Sequence, residues 1–286
     1  MVYSGTRGAW ICLVLLAISL LANGQQLVRP EASDPYGVQS FNDAFIKEHR
    51  IKRATVQVSV KSPGKVIVHR KGKLVFYFDE EGRLEKKEKI SVRANGETEN
   101  QSTSYYFLNG KLNREEITQA SGNSIIYHSY NGNEHEQKIL KQDEPGGRYS
   151  QQESMVSRTE KEGNLLIYKV YNGSRIVETI TEEYHPENGL VSRETEQHPN
   201  RYLTEATWNY EFGKLVDLTI KAGKREDVYA ITYGKNSIIR KIQHSENGRL
   251  LETVEYFYYN GILESLLEST PGSDELEITN YSYEFY

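Results

Sequence analysis

Seven histidines, His49, His69, His128, His135, His185, His198 and His244, are the side chains of this sequence best suited to hold a metal or move a proton. None stands in an H-E-x-x-H or other tight ligand spacing. His128 and His135 flank one turn, with Glu134 and Glu136 beside them, and opposite strands of a hairpin could bring the two rings together as metal ligands. Without a fuller ligand pattern, the expectation is that both are exposed turn residues and that the chain has no metal site and no cofactor. Adjacent acids recur at Asp79-Glu80-Glu81, Glu115-Glu116 and Glu182-Glu183. A glycosidase needs two carboxyls held across a sugar at ~5–9 Å, and nothing in the sequence places a pair that way. Acidic turns are expected instead to be solvated edges that resist sheet-to-sheet association. There is no G-x-S-x-G, Walker loop or dinucleotide fingerprint. The one cysteine, Cys12, lies in an N-terminal segment expected to be removed. No catalytic residue is assigned.

Two groups of residues have the character of a binding surface. Residues 47–73 carry Lys47, Arg50, Lys52, Arg53, Lys61, Lys65, Arg70, Lys71 and Lys73 against Glu48 alone. Lys61, Lys65, Arg70, Lys71 and Lys73 would suit an anionic surface such as lipopolysaccharide, a wall polymer or an acidic partner chain. The plainer explanation is an edge strand guarded by lysine. Tyr256, Tyr258, Tyr281 and Tyr283 would project in stripes from neighbouring strands. Such stripes can stack on sugars or peptides, but more often they are the core face of a sheet.

The elements that must position these residues are strands. From Ala54 the pattern has period two: Val56, Val58 and Val60 alternate with polar residues, as do Leu74, Phe76 and Phe78, then Trp208, Tyr210 and Phe212, and Val216, Leu218 and Ile220. Alternation puts one face in a core and the other in water. Glycines punctuate the runs at intervals of one strand plus one turn, which predicts an all-β meander. Asn-Gly at 95, 109, 131, 172, 188, 247 and 260 predicts type I′ hairpin turns. The 21 tyrosines against 8 phenylalanines suit half-buried sheets, since a tyrosine packs one ring face and keeps its hydroxyl in water. A short helix is expected before the strands, capped by Ser40, with Phe41, Ala44 and Phe45 on one face.

Aligned on glycine, the hairpins repeat: FYFDEEGRLEKKE (Phe76–Glu88), YYFLNGKLNREE (Tyr105–Glu116), YKVYNGSRIVET (Tyr168–Thr179), WNYEFGKLVDLT (Trp208–Thr219) and YFYYNGILESLL (Tyr256–Leu267) are five copies. This pattern resembles the tyrosine–aspartate (YD) repeats of the Rhs family, Y-x-Y-D-x-x-G-R-L, nearest at Phe76–Leu84, where Asp79, Gly82, Arg83 and Leu84 stand in place. It is also similar to short G-K-L/Y-Y-x-N-G repeat proteins labelled antitoxin-like. Most copies lack the Asp, and no toxin domain follows. The resemblance implies a long antiparallel sheet of paired hairpins, extended, spiralling, or rolled and partly closed.

The chain of 286 residues divides by composition. Residues 1–24 have Arg7, an apolar run from Ala9 to Ala22 and Ala22-Asn23-Gly24, the pattern of a secretory signal peptide. Residues 25–39 read as a linker, 40–53 as the short helix and basic segment, and 54–286 as the hairpin-repeat domain. Net charge is −5, and losing Arg7 leaves 34 cations against 40 acids, a balance that argues against nucleic-acid binding. The absence of cysteine after residue 24 favours a bacterial periplasm or cell surface. A membrane-spanning barrel is disfavoured because Glu252 shares a face with Leu250, Val254 and Tyr256. The resulting expectation is an exported, non-enzymatic β-repeat protein that binds or scaffolds at the envelope or outside the cell, its partner a protein or glycan there. A carbohydrate-active enzyme using turn carboxylates and an antitoxin or immunity-type partner of a toxin are the alternatives.

Overall fold

A computed structural model describes residues 41–93, 95–142, 146–187, 189–199, 203–235 and 238–286. The expected signal peptide, the linker and Ser40 lie outside the described residues. A helix, α1 (Asp43–Glu48), leads into strands β1 (Ile51–Lys61), β2 (Val68–His69), β3 (Gly72–Phe78), β4 (Leu84–Val92), β5 (Thr98–Leu108) and β6 (Lys111–Gln119). Then come β7 (Gly122–Asn131), β8 (Glu134–Gln142), β9 (Tyr149–Glu162), β10 (Leu165–Asn172), β11 (Arg175–Tyr184) and β12 (Val191–Gln197). The chain continues through β13 (Thr204–Glu211), β14 (Lys214–Ala222), β15 (Arg225–Tyr233), β16 (Ile239–Glu246), β17 (Arg249–Tyr259), β18 (Ile262–Ser269) and β19 (Leu276–Phe285).

The all-β antiparallel meander with one short helix is as the alternation implied. The open or spiralling sheet is not. Each strand from β3 to β19 pairs with the next, and β1 closes the ring by pairing with β19 (Ala54 opposite Tyr283) and with β3 (Ala54 opposite Phe76). The result is an 18-stranded barrel, with the two-residue β2 appended to β1 outside the ring. Closure removes the free strand edges that an open array of this length would present to other chains.

Pairing runs unbroken around the ring, with local bulges, so the strand residues between bulges belong to one of two walls. One wall carries Ala54, Phe76, Thr103, Glu115, His128, Ser157, Ile180, Ala206, Leu218, Tyr229, Ile242 and Val254. The buried strand residues lie on this wall, except Ser59, Val75 and Gln142. Side chains converge inside a closed barrel and splay outside it, so this is the inner wall. It holds two apolar clusters: Ala206, Leu215, Leu218, Tyr229, Ile231, Ile239 and Ile242, and, around the helix, Phe41, Phe45, Ile46, Ile51, Ala54, Phe76, Phe78 and Leu84.

Helix α1 is capped by Asn42, not Ser40: the Asn42 side-chain oxygen accepts the Phe45 N–H at 3.2 Å. Phe45 and Ile46 are its buried residues, and Phe41 meets Phe76 and Phe78 edge to face at 5.0 and 4.9 Å. The helix rests on the β3–β4 turn. A Cβ on Gly82 (φ +86°) would stand 2.1 Å from the Asp43 carbonyl oxygen, so only glycine lets helix and turn meet. Asp79, the best match to the repeat pattern, braces this turn by accepting the Arg83 N–H at 2.8 Å and the Arg83 Nε at 2.7 Å.

The described Asn-Gly turns differ: at Asn95 the glycine alone has positive φ, and the Gly96 N–H donates to the Arg93 carbonyl within a three-residue loop. At Asn109, Asn247 and Asn260 both central residues have positive φ, as type I′ requires. At Asn131 and Asn172 the Asn is the last strand residue, and Gly132 or Gly173 opens the loop, the placement of type II′. The sequence expectation of a single turn type fails because the register of the preceding strand decides which residue must bend. Many hairpins also carry a bulge one residue past the turn, where an inner aromatic faces an aliphatic: Phe78 with Leu84, Phe107 with Leu112, Tyr210 with Leu215, Tyr233 with Ile239, and Tyr258 with Leu263. A bulge leaves a backbone group without its ladder partner. Tyrosine hydroxyls from the next hairpin or strand supply it: Tyr210 donates to the Val191 carbonyl at 2.9 Å, Tyr233 to Leu215 at 2.8 Å and Tyr283 to Leu263 at 2.6 Å. The repeated aromatic–x–x–Asn–Gly–x–Leu pattern is thus a bulge and the phenol that completes it.

Candidate functional site: the inner wall and a basic rim loop

The wall assignment separates the paired carboxylates. Neighbours along a strand face opposite sides, so Glu115 points inward while Glu116 points out and accepts the Tyr106 hydroxyl at 2.9 Å. Glu182 points inward and Glu183 out. None of these pairs acts as a unit.

His128 and His135 are brought together, and neither is an exposed turn residue: both are buried, with His128 Nδ1 3.0 Å from His135 Nε2. Period two explains this, because Ile126, His128 and Tyr130 share the inner wall. Their acidic partner is neither Glu134 nor Glu136 but Glu115, whose Oε1 lies 3.0 Å from His128 Nε2. A carboxylate only accepts, so His128 donates from Nε2 to Glu115. Burial, with the His128 charge adding to it, lowers the His135 pKa to about 4, so this ring is neutral at neutral pH. Tyr130 stacks on it at 4.5 Å.

Further inner-wall stations follow the same plan. Asp227 accepts Arg225 Nε at 2.6 Å and Arg225 Nη2 at 2.9 Å, and its Oδ1 lies 2.8 Å from His244 Nε2, over which Tyr229 stacks at 4.4 Å. Glu182, buried, accepts the hydroxyls of Tyr168 and Tyr184. Glu252, Glu268 and Glu277 stand on successive strands β17, β18 and β19. Burial, then a hydrogen bond to Glu268, raises the Glu252 carboxyl to about 8, so it is protonated at neutral pH. A further cluster, Glu178, Glu196 and His198, brings one donor atom from each residue within 4.8 Å of the others.

The four tyrosines proposed as an aromatic face all lie on the inner wall, but β18 stands between the two pairs. Tyr256 and Tyr258 are on β17, and Tyr281 and Tyr283 on β19. Tyr256 packs against one apolar cluster, and Tyr281 and Tyr283 against the other. Burial raises the phenols of Tyr256, Tyr258 and Tyr283, keeping them as proton donors.

The basic residues occupy the connection from β1 to β3. Arg70 pairs with Glu277, Lys61 Nζ donates to the Lys65 carbonyl, and Ser59, fully buried, meets His69 Nδ1 at 2.8 Å. Between the cations the loop presents bare aliphatic side chains: Val66 is 80% exposed, Ile67 50% and Val68 60%. The sequence reading noted the charge and missed this apolar tip, although the run Val66-Ile67-Val68 between lysines was its signal.

The outer wall mixes ion pairs with exposed rings such as Tyr106, Tyr127 and Phe257. Along mid-strand it carries Arg114 with Glu116 at 3.3 Å, Lys169 with Glu160 at 2.7 Å, Arg193 with Glu205 at 2.8 Å, and Lys86 with Glu88 at 2.6 Å. Glu252, whose charge was the argument against a membrane barrel, is on the inner wall, so that argument rested on the wrong face.

No family model and no curated protein matches this chain. Among solved structures, a porin-like protein from Bacteroides uniformis aligns with 82% of this chain and 97% of its own, at 12% identity and a TM-score of 0.40. A porin-like protein from Bacteroides vulgatus aligns over 82% and 98%, at 8% identity and 0.33. The LolA superfamily protein NE2245 from Nitrosomonas europaea aligns over 82% and 87%, at 9% identity and 0.24. Likeness this low says nothing about function, which rests on the side chains. These define a closed antiparallel barrel with a charged exterior, an interior braced by His, Tyr and carboxylate groups, and one basic loop with an apolar tip.

Proposed function

We propose that this chain is an exported, non-enzymatic protein that binds or scaffolds at the cell envelope, meeting an anionic envelope surface through its β1–β3 loop. The observation that carries this reading is the loop itself: Val66, Ile67 and Val68 exposed among Lys61, Lys65, Arg70, Lys71 and Lys73. Cations draw the loop to an anionic surface, at roughly 1 kcal/mol each near a charged leaflet, and the aliphatic tip can enter the interfacial region. The outer wall supports a barrel lying on a membrane rather than across it, because its ion pairs stand where a spanning barrel needs an apolar band of about 25 Å. Among the described residues no helix is long and apolar enough to cross a membrane. The non-enzymatic reading is supported by the wall stations, in which carboxylates are taken up by other wall residues. It is also supported by Glu252 and Glu268, which share a hydrogen bond and so sit closer than the ~5 Å of a sugar-flanking pair. The likeness to YD repeats reflects, on this reading, the shared chemistry of bulged tyrosine hairpins.

The test is co-sedimentation of the purified protein with vesicles of anionic or neutral lipid and with envelope fractions. Binding to anionic vesicles alone is expected. Charge reversal at K71E/K73E changes the loop by four charge units, about 4 kcal/mol, and should weaken that binding by on the order of 1,000-fold. Equal binding by the reversed variant would overturn the reading.

A further inference from the structure

We propose that Glu178, Glu196 and His198 bind a divalent transition-metal cation on the inner wall of the barrel. In the β11–β12 register, Thr179 faces Gln197, which sets Glu178 opposite His198, and Glu196 lies two residues before His198 on the same wall. The three side chains are partly buried, 24%, 12% and 27% exposed. The ring of His198 is held from behind: Nδ1 lies 3.2 Å from the Val177 carbonyl oxygen. A carbonyl only accepts, so Nδ1 carries a proton, and in the tautomer with that proton alone the Nε2 lone pair faces forward. That lone pair points at two more acceptors, Glu196 Oε1 at 2.6 Å and Glu178 Oε1 at 3.4 Å.

Three electron-rich atoms so close are held by a positive centre among them, a proton on Nε2 or a metal ion. A proton on Nε2 would leave the site with a net charge of −1. A divalent ion would satisfy all three donors and make the site neutral. An ion bound at ~2.1 Å to nitrogen and oxygen ligands holds donor pairs up to about 4.2 Å apart, and donors already within 4.8 Å of one another reach that by small side-chain rotations. A histidine fixed through its far nitrogen by a backbone carbonyl is the usual outer support of a metal ligand. One imidazole and two carboxylates suit Zn²⁺, Mn²⁺ or Fe²⁺, with remaining positions open to water or to a ligand entering the barrel. Ca²⁺, which takes six to eight oxygens, is poorly matched.

The experiment is a titration of chelator-treated protein with Zn²⁺ and with Mn²⁺ by calorimetry, with stoichiometry read by native mass spectrometry. One ion per chain is expected. Affinity should fall by on the order of 100-fold in H198A and in the near-isosteric E178Q and E196Q, and should be unchanged in H128A, which disrupts the other histidine pair. Circular dichroism confirms that each variant is folded. Absence of binding in the wild type, or binding equal in E178Q, E196Q and H198A, overturns the proposal. A His198 ring that stays protonated in saturating Zn²⁺, read by nitrogen-15 shifts, overturns it as well, because a proton would then fill the gap.

Discussion

Replacing Gly82 by alanine tests how the helix is seated. Two positions share a backbone but not a neighbourhood: Gly82 at φ +86° and Gly261 at φ +82°. An alanine at either costs about 1–2 kcal/mol for holding an L-residue in the left-handed region. At Gly261 nothing lies within 4 Å of the added methyl, so that is the whole cost. At Gly82 the methyl falls 2.1 Å from the Asp43 carbonyl oxygen, 2.9 Å from its carbon and 3.0 Å from the Lys47 nitrogen. Carbon contacts settle near ~3.5 Å, so helix and turn must part by more than about 1 Å. Phe45 and Ile46, 1% and 0% exposed, then lose packing that is worth about 1.5–3 kcal/mol for each fully buried side chain. With half of that lost, G82A costs about 3–5 kcal/mol against about 1–2 for G261A. Urea unfolding followed by tyrosine fluorescence and circular dichroism measures both. Equal losses in the two variants would refute the argument that helix docking on the turn, rather than backbone conformation, dictates glycine at 82.

The phenol that completes a bulge predicts that Y233F, which strips the hydroxyl from the Leu215 carbonyl, loses about 1–3 kcal/mol; a change under ~0.5 kcal/mol would make the bond incidental. Glu252 has a folded pKa of about 8 against 4.5 for its ordinary value, so its neutral form is favoured by the fold. The stability it contributes is complete below about pH 4.5 and is lost as pH rises to about 8. E252Q should therefore flatten the fall in melting temperature between those limits and exceed the wild type above pH 8; a parallel pH profile would exclude Glu252 as the cause. His135, lowered to about 4 by burial, should show neutral-ring shifts by NMR at pH 5, and titration near 6.5 would place it in water.

The strands were legible because period two survives in nearly every one, and the hairpins because glycine marks the reversals, the β12–β13 connection (198–203) excepted. Closure was not legible. Nothing local in Val56-Gln57-Val58 names Asn280 or Thr279 as neighbours more than two hundred residues away, although the register places them there. The inward histidines could have been found: Ile126-His128-Tyr130 is the same alternation that identified the strand, and Glu115 lies two residues before Ile117 on the same wall of the adjoining strand. Reading His128 as a turn residue ignored which wall its neighbours occupied. The Glu194-Glu196-His198 stripe carried the same signal. The bulges were hidden because a one-residue slip leaves hydrophobic spacing almost intact while changing which carbonyl needs a donor. The seat of α1 depended on a tertiary contact, visible in sequence only as one more glycine.

Ring closure through β1 also sets the order in which the protein can assemble. Seventeen strands, β3 to β19, each find their partner next door along the chain, so their contacts are short-range and can form within microseconds to milliseconds as independent hairpins. The contact of β1 with β19 spans the whole domain, and the Tyr286 amide donates to the Arg50 carbonyl across the same seam. The chain therefore forms its hairpins first and acquires its finished form in one late step. Until then β3 and β19 are both unpaired along one edge. Growth conditions that slow this sealing step should expose the protein to aggregation and proteolysis well before any change in the stability of the finished ring is detectable.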